Sequence, residues 1–148
     1  MSLDLLTDYA GGLLRQLDAG SRRKLASQIA RELRASQQKR IAEQRNPDGS
    51  DFAPRKTQAR DKKGRIKRLA MFRKLRTARF LKTSATASEA AIKIAGRAGR
   101  IAAVHQQGLR DRVRPSGPEV AYTRRQLLGF ADADVAALEN TILAHLSV

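Results

Sequence analysis

The first part of the chain repeats apolar residues every three to four positions, which predicts two helices. The first runs from Leu5 to Leu17. Its glycines, Gly11 and Gly12, weaken it by about 1 kcal/mol each, so it needs contacts from the rest of the fold or from a partner. The second runs from Ser21 to about Gln44 and would be about 36 Å long at about 1.5 Å per residue. We expect its far end to contact another subunit.

A turn sequence, Asn46-Pro47-Asp48-Gly49, follows the second helix. Proline fixes φ at the second turn position, the aspartate can bond the backbone just ahead, and glycine tolerates positive φ. The proline also disfavours the α conformation at the residue before it, so the helix should end there. Phe52 is a large apolar residue in this polar loop. It should either pack into the protein's own core or dock on a neighbouring molecule.

The middle of the chain changes from a basic loop to an extended pattern. Residues 55–65 have no apolar periodicity and are expected to form a mobile basic loop, followed by a short helix between Ile66 and Arg76. Residues 80–94 alternate and contain β-branched side chains, which predicts strands. A turn near Ser88 would make them a hairpin.

The last third predicts two more helices and one more strand. A helix over residues 99–107 should end at Gly108, a second basic loop should cover residues 109–118, and Asp132 should cap the final helix. Because the strands cluster instead of alternating with helices, the sequence predicts an α+β fold with long N-terminal helices and a C-terminal helix. Its small antiparallel sheet would comprise about residues 80–95 and 119–124.

The composition suits one small domain. A chain of 148 residues with 41% apolar residues can form one modest core, so we expect a single domain over residues 1–148. The absence of cysteine excludes disulfides and thiolate sites and is typical of a reducing compartment. The sequence predicts neither a signal peptide nor a membrane span.

The net charge of +16 is concentrated in the middle of the chain. Residues 21–82 hold 21 Lys and Arg against five acids, whereas residues 1–20 and 119–148 each have a net charge of −2. Such asymmetry indicates an anionic partner, either nucleic acid or an acidic protein surface. A merely solubilising surface is the alternative.

No constellation of residues points to catalysis. The histidines, His105 and His145, have no acid or cysteine at metal-ligand spacing, and no nucleophile, phosphate-loop or dinucleotide motif is present. We therefore expect neither an enzyme nor a cofactor. Residues 55–82 contain 13 Lys and Arg with only Phe72 and Phe80 as aromatic residues, so any nucleic-acid contact there would be nonspecific. A monomeric protein that binds nucleic acid through this segment is one hypothesis.

Four sequence pieces, in order and at similar spacing, resemble the phage virion morphogenesis family of contractile-tailed phages. They are the loop Arg40-Ile41…Gln44…Asn46-Pro47-Asp48-Gly49…Phe52-Ala53-Pro54-Arg55-Lys56, then Met71–Arg76, then Ile101–Gly108, and then Tyr122–Phe130 before an acid-capped helix. The resemblance covers nearly the whole chain. The segment after Gly108 varies in the family and carries no inference.

The resemblance implies a structural virion protein, made in the host bacterial cytoplasm, at the junction of head and tail. Related neck proteins form rings around the DNA channel, usually sixfold. The expected partners are copies of this chain in a hexameric ring, and adjoining neck, tail-terminator or tail-tube proteins. DNA in the channel is a further, nonspecific partner, and no membrane partner is expected.

Three groups of candidate residues follow from the patterns and the resemblance. The expected subunit or partner contacts, for which packing within one subunit is the alternative, are Leu5, Leu6, Tyr9, Leu13, Asn46, Pro47, Asp48, Gly49, Phe52, Pro54 and Arg55. The expected contacts to DNA or an acidic partner are Lys56, Arg60, Lys62, Lys63, Arg65, Lys67 and Arg68. The expected structural motif residues are His105, Gln107, Gly108, Arg125, Leu128 and Gly129.

Overall fold

The computed structural model describes residues 2–15, 17–55, 70–112 and 114–146. Within this part of the chain, four helices and two small antiparallel sheets confirm the α+β prediction. The elements are α1 (Leu3–Leu14), α2 (Ala19–Ala42), β1 (Leu81–Ala85), β2 (Ala90–Ile94), α3 (Arg97–Gln107), β3 (Arg110–Arg112), β4 (Glu119–Ala121) and α4 (Asp132–Leu146).

The longest helix, α2, lies at the centre of the structure and contacts α4 and the β1–β2 hairpin. It starts with Asp18 as N-cap, whose carboxylate accepts a hydrogen bond of 2.7 Å from the backbone N–H of Ser21. It ends two residues before the predicted Gln44, which has a positive φ of 58°. The predicted helix is therefore confirmed with its ends shifted by about one half-turn.

One core cluster forms where α1 and α4 pack beside α2. Its buried members lie at helical spacing on each of the three helices, which is why the periodicity located them: Leu6, Ala10, Leu25, Leu33, Leu138 and Ile142. A second cluster joins the end of α2 to α3 and the connecting loops. Its buried members are Ile41, Phe52, Leu75, Ala98, Ala102 and Leu127.

The hairpin prediction is confirmed. Strands β1 and β2 pair antiparallel with Leu81 opposite Ile94 and Thr83 opposite Ile92. The turn closes with a hydrogen bond of 2.8 Å from the Thr86 N–H to the Glu89 carbonyl. The alternating residues Ala90, Ile92 and Ile94 therefore pair with alternate residues of β1.

The single predicted sheet is two separate sheets. Strand β4 pairs with β3, with Val120 opposite Asp111, and does not join the hairpin. Strand β3 lies inside the predicted basic loop 109–118. Its sequence, Arg-Asp-Arg, has no apolar alternation, so only its pairing with β4 makes it a strand.

Two local predictions are wrong. Residues 70–76 do not form a helix, and Phe72 has a φ of 65°, which a helical residue does not adopt; residues 66–69 lie outside the described part. The cap of α4 is not Asp132, which is already its first residue. Asp134, at the third helical position, instead accepts a hydrogen bond of 2.9 Å from the Ala131 N–H.

Candidate functional site

The loop after α2 is a closed turn built from its own side chains. The Gly49 N–H donates to the Asn46 carbonyl at 3.0 Å, and Gly49 has a φ of 89°, so the predicted turn is confirmed. Hydrogen bonds from the side chain and the backbone of Ser50 lower the pKa of the Asp48 carboxyl. Arg45 and Asp51 form a β-bridge that closes the base of the turn.

This turn docks on the segment that leads into α4. The Gln126 N–H donates to Asn46 Oδ1 at 2.9 Å. A Cβ at Gly129 would lie 2.5 Å from Pro47 Cγ, so only glycine permits this approach. Gly129, predicted as a motif residue, therefore has to be a glycine because the loop about 80 residues earlier in the sequence docks against it.

The buried side chain of Arg40 also joins the end of α2 to the segment that leads into α4. Its guanidinium donates to the carbonyls of Arg45, Gln126 and Leu127, each at 3.0 Å. It also donates to Gln37 Oε1, which accepts a second hydrogen bond of 3.0 Å from the Gly129 N–H. Burial lowers the pKa of Arg40, and the nearby carboxylate of Asp134 opposes that shift.

A second buried arginine, Arg125, fixes the far end of the loop. Its Nε donates to the Ala53 carbonyl at 2.8 Å and its Nη2 to the Pro54 carbonyl at 2.9 Å. Its backbone N–H donates to the His105 carbonyl at 2.7 Å. Arg125 therefore connects the loop to α3, as a planar guanidinium with several donors can.

His105 lies in an aromatic stack beside this arginine. The centroid of its ring is 4.8 Å from that of Phe72 and 4.9 Å from that of Tyr122, both edge-on. Burial and then the charge of Arg125 lower the pKa of His105, which favours the neutral ring. Arg125 Nη1 lies 3.4 Å from Nδ1, and because arginine only donates, the proton belongs on Nε2.

Two glutamine amides pair with backbone groups in the same way. Gln44 donates from Nε2 to the Met71 carbonyl at 2.9 Å and accepts from the Met71 N–H at 2.7 Å. Gln106 makes the equivalent pair with Leu128, at 2.7 and 3.0 Å. Irregular backbone is thus satisfied by polar side chains where no strand pairs with it.

The four sequence pieces therefore meet in space. Gly108 adopts a φ of 66° and ends α3, as predicted, and a Cβ there would lie 3.2 Å from Arg124. Gln107, in contrast, is exposed. Sequence reasoning missed Gln37 and Gln106, although Gln37 lies one helical turn from Leu33 on the buried face of α2, which was an available signal.

The residues predicted for partner contacts divide into buried and exposed ones. Phe52 is only 5% exposed and packs edge-on against Phe72 at 5.7 Å, so it takes the first of its two predicted places, inside its own core. Leu6 is buried as well. Leu5 and Tyr9 are 61% and 46% exposed. The side chain of Leu13 and all seven residues predicted to contact DNA, which lie between 56 and 68, fall outside the described part.

A cavity of about 470 Å³ opens beside the aromatic stack and is lined by Pro54, Met71, Phe72, His105, Tyr122 and Arg125, among others. In the described ranges no three His, Asp or Glu side chains form a metal-binding group. No helix of that part is both long and apolar enough to cross a bilayer.

Comparison with known proteins identifies a family and a named relative. The model of the phage virion morphogenesis family matches residues 2–147. The chain is 44% identical over 141 residues to tail completion protein S of Escherichia phage P2, and the match covers 94% of this chain and 93% of that protein. No solved structure matches significantly.

Proposed function

This chain belongs to the phage virion morphogenesis family, and we propose that it is a structural protein of the virion that completes the tail and helps to join it to the head. The observation that carries this proposal is the similarity, over nearly both full lengths, to a protein named for tail completion. The site supports it, because the matching sequence pieces form a scaffold of side-chain-to-backbone hydrogen bonds that position loops.

The protein acts as a ring of identical copies, and α1 supplies one side of the contact. Leu5 and Tyr9 are one turn apart on α1 and are exposed. Asp4 and Asp8 form a parallel exposed row beside them. A stripe of apolar residues beside two acids is complementary to a surface that is apolar and basic. The chain itself carries such a surface.

That surface lies on α3. Ile101 is 51% exposed, and Arg97 lies one turn before it. Arg100, which pairs with Asp111 at 2.7 Å, lies beside it. Because the α1 and α3 surfaces are different, copies joined through them associate head to tail, and such contacts form a ring when the rotation between successive copies closes. Six copies is the number that the family resemblance implies.

The exposed side of the docked loop is the proposed contact to adjoining neck, tail-terminator or tail-tube proteins. Asp48, Gly49, Pro54 and Arg55 are exposed there, while Asn46 and Pro47 hold the loop to its own chain. The seven cations between residues 56 and 68 are proposed to meet DNA in the channel or the acidic rim of a neighbouring ring.

The test compares the assembly of two double variants by light scattering and negative-stain imaging at moderate salt. Leu5→Ser with Tyr9→Ser should remain monomeric, because the apolar centre of the contact is lost. Leu109→Ser with Phe130→Ser removes two side chains of 43% and 46% exposure elsewhere and should assemble like the parent.

Discrete rings of the parent and the control, but not of the α1 variant, are the expected result. A parent protein that stays monomeric and binds DNA would instead support the hypothesis of a monomeric nucleic-acid-binding protein. Rings formed by the α1 variant would exclude α1 from the contact.

A further inference from the structure

A second cationic surface lies far in sequence from the basic segment 56–68. A surface groove of about 620 Å³ runs between the first half of α2 and the end of α4. Its lining includes Arg23, Lys24, Ser27, Gln28, Arg31 and His145. Every one of these side chains is polar.

Two of the three cations lie in one row along α2. Arg23, Ser27 and Arg31 follow one another at intervals of four residues, and Lys24 lies beside them. At about 1.5 Å per residue, the row from Arg23 to Arg31 is roughly 12 Å long. The axial rise per nucleotide of one DNA strand is about 3.4 Å, so the row matches three to four phosphates.

No carboxylate of the described residues lines this groove. Glu32, on the same helix, accepts hydrogen bonds from Gln28 at 3.0 Å and from Thr141 at 2.7 Å on the α4 side. Asp18, at the edge, is engaged by the Ser21 N–H. No described carboxylate within the groove therefore offsets the charges of Arg23 and Arg31, while the Asp18 carboxylate at its edge interacts electrostatically with Lys24.

The chemistry of the lining favours phosphate over a protein partner. A protein interface needs an apolar or aromatic centre, and lysine is depleted there. Arginine, lysine, serine and glutamine are side chains that contact DNA phosphates, and the described lining offers no Phe, Tyr or Trp on which a base could stack. We infer that this groove binds the phosphate backbone of DNA, independently of its sequence.

The test measures how the affinity of the full-length chain for a fluorescent DNA duplex of mixed sequence depends on salt. The variant Arg23→Gln, Lys24→Gln, Arg31→Gln removes three cations from the groove. The slope of log affinity against log salt should become shallower by about 2.7, because each phosphate contact contributes about 0.9.

The matched control removes the same charge from exposed positions outside residues 55–82, as Lys93→Gln, Arg112→Gln, Arg114→Gln. Its slope should change by less than about 1. An equal change in both variants would overturn the inference, since only total charge would then matter. Ser27→Glu, which places a carboxylate in the groove with one substitution, should weaken binding even if the triple variant fails to fold.

A competition experiment distinguishes DNA from an acidic protein. Poly-glutamate should displace DNA from the parent only weakly and should bind the groove variant as it binds the parent. Poly-glutamate binding that falls in the groove variant as much as DNA binding does would overturn the assignment to DNA. The readout here is the difference in salt slope between two variants, whereas the ring proposal is read from light scattering and imaging, so the two proposals can fail separately.

Discussion

Replacing Arg40 by methionine tests whether the docked loop depends on a buried guanidinium. Methionine fills a similar volume but has no donor for the three carbonyls that Arg40 contacts at 3.0 Å. The Leu127 carbonyl belongs to a fully buried residue, and leaving it unpaired costs about 1–3 kcal/mol. The carbonyls of Arg45 and Gln126 belong to less buried residues and can be hydrated, so each loses about 0.5–1 kcal/mol.

Two effects reduce this cost. The variant no longer buries a charge, and Arg40 Nε is itself buried without a hydrogen-bond partner among the described residues. We therefore expect the free energy of unfolding to fall by about 2–4 kcal/mol. For a chain of this length, that lowers Tm by about 4–16 °C.

Thermal and urea unfolding, followed by circular dichroism, measure this effect. The matched control is Lys39→Met, which removes the same charge from the exposed neighbouring residue and should change stability by less than about 0.5 kcal/mol. Arg40→Lys should recover only part of the loss, because an ammonium group cannot reach three carbonyls in a planar fork. If Arg40→Met unfolds like Lys39→Met, the guanidinium does not hold the junction and the reasoning is refuted.

Two further predictions concern the same junction. Gly129→Ala should lower the free energy of unfolding by about 1–3 kcal/mol, because its Cβ would meet Pro47. As a control, Gly11→Ala, whose Cβ would meet nothing within 4 Å, should raise the free energy of unfolding slightly. Equal stabilities of the two variants in urea unfolding would contradict the contact between Gly129 and Pro47. Burial lowers the pKa of His105 below 6.5 in the folded chain. As pH falls, the unfolded chain therefore binds this proton before the folded chain does. The contribution of His105 to stability is thus complete above about pH 7 and decreases as pH falls through 6.5. The Tm difference between the parent and His105→Asn should therefore shrink between pH 7.5 and pH 5.5, and a constant difference would show that His105 does not titrate differently on folding.

Features encoded by neighbouring residues were predictable from the sequence. The helices α1, α2, α3 and α4 follow apolar spacing, the hairpin follows alternation, and Gly49 and Gly108 adopt the positive φ that their turn and cap positions require. The excess of positive charge in the middle of the chain follows directly from counting its residues. For the helices, the hairpin and the two glycines, the determining residues lie close together in the sequence.

Contacts between distant segments were decided only by the tertiary structure. Nothing near Arg40 in the sequence indicates that its partners are the carbonyls of Gln126 and Leu127, and nothing in the Arg110–Arg112 pattern indicates a strand. Phe52 had two possible places, and it lies inside the chain, in the second core cluster and against Phe72. A backbone group carries the same donor or acceptor at every residue, so the sequence pattern does not identify which carbonyl a side chain will meet; the packing of the helices brings them together.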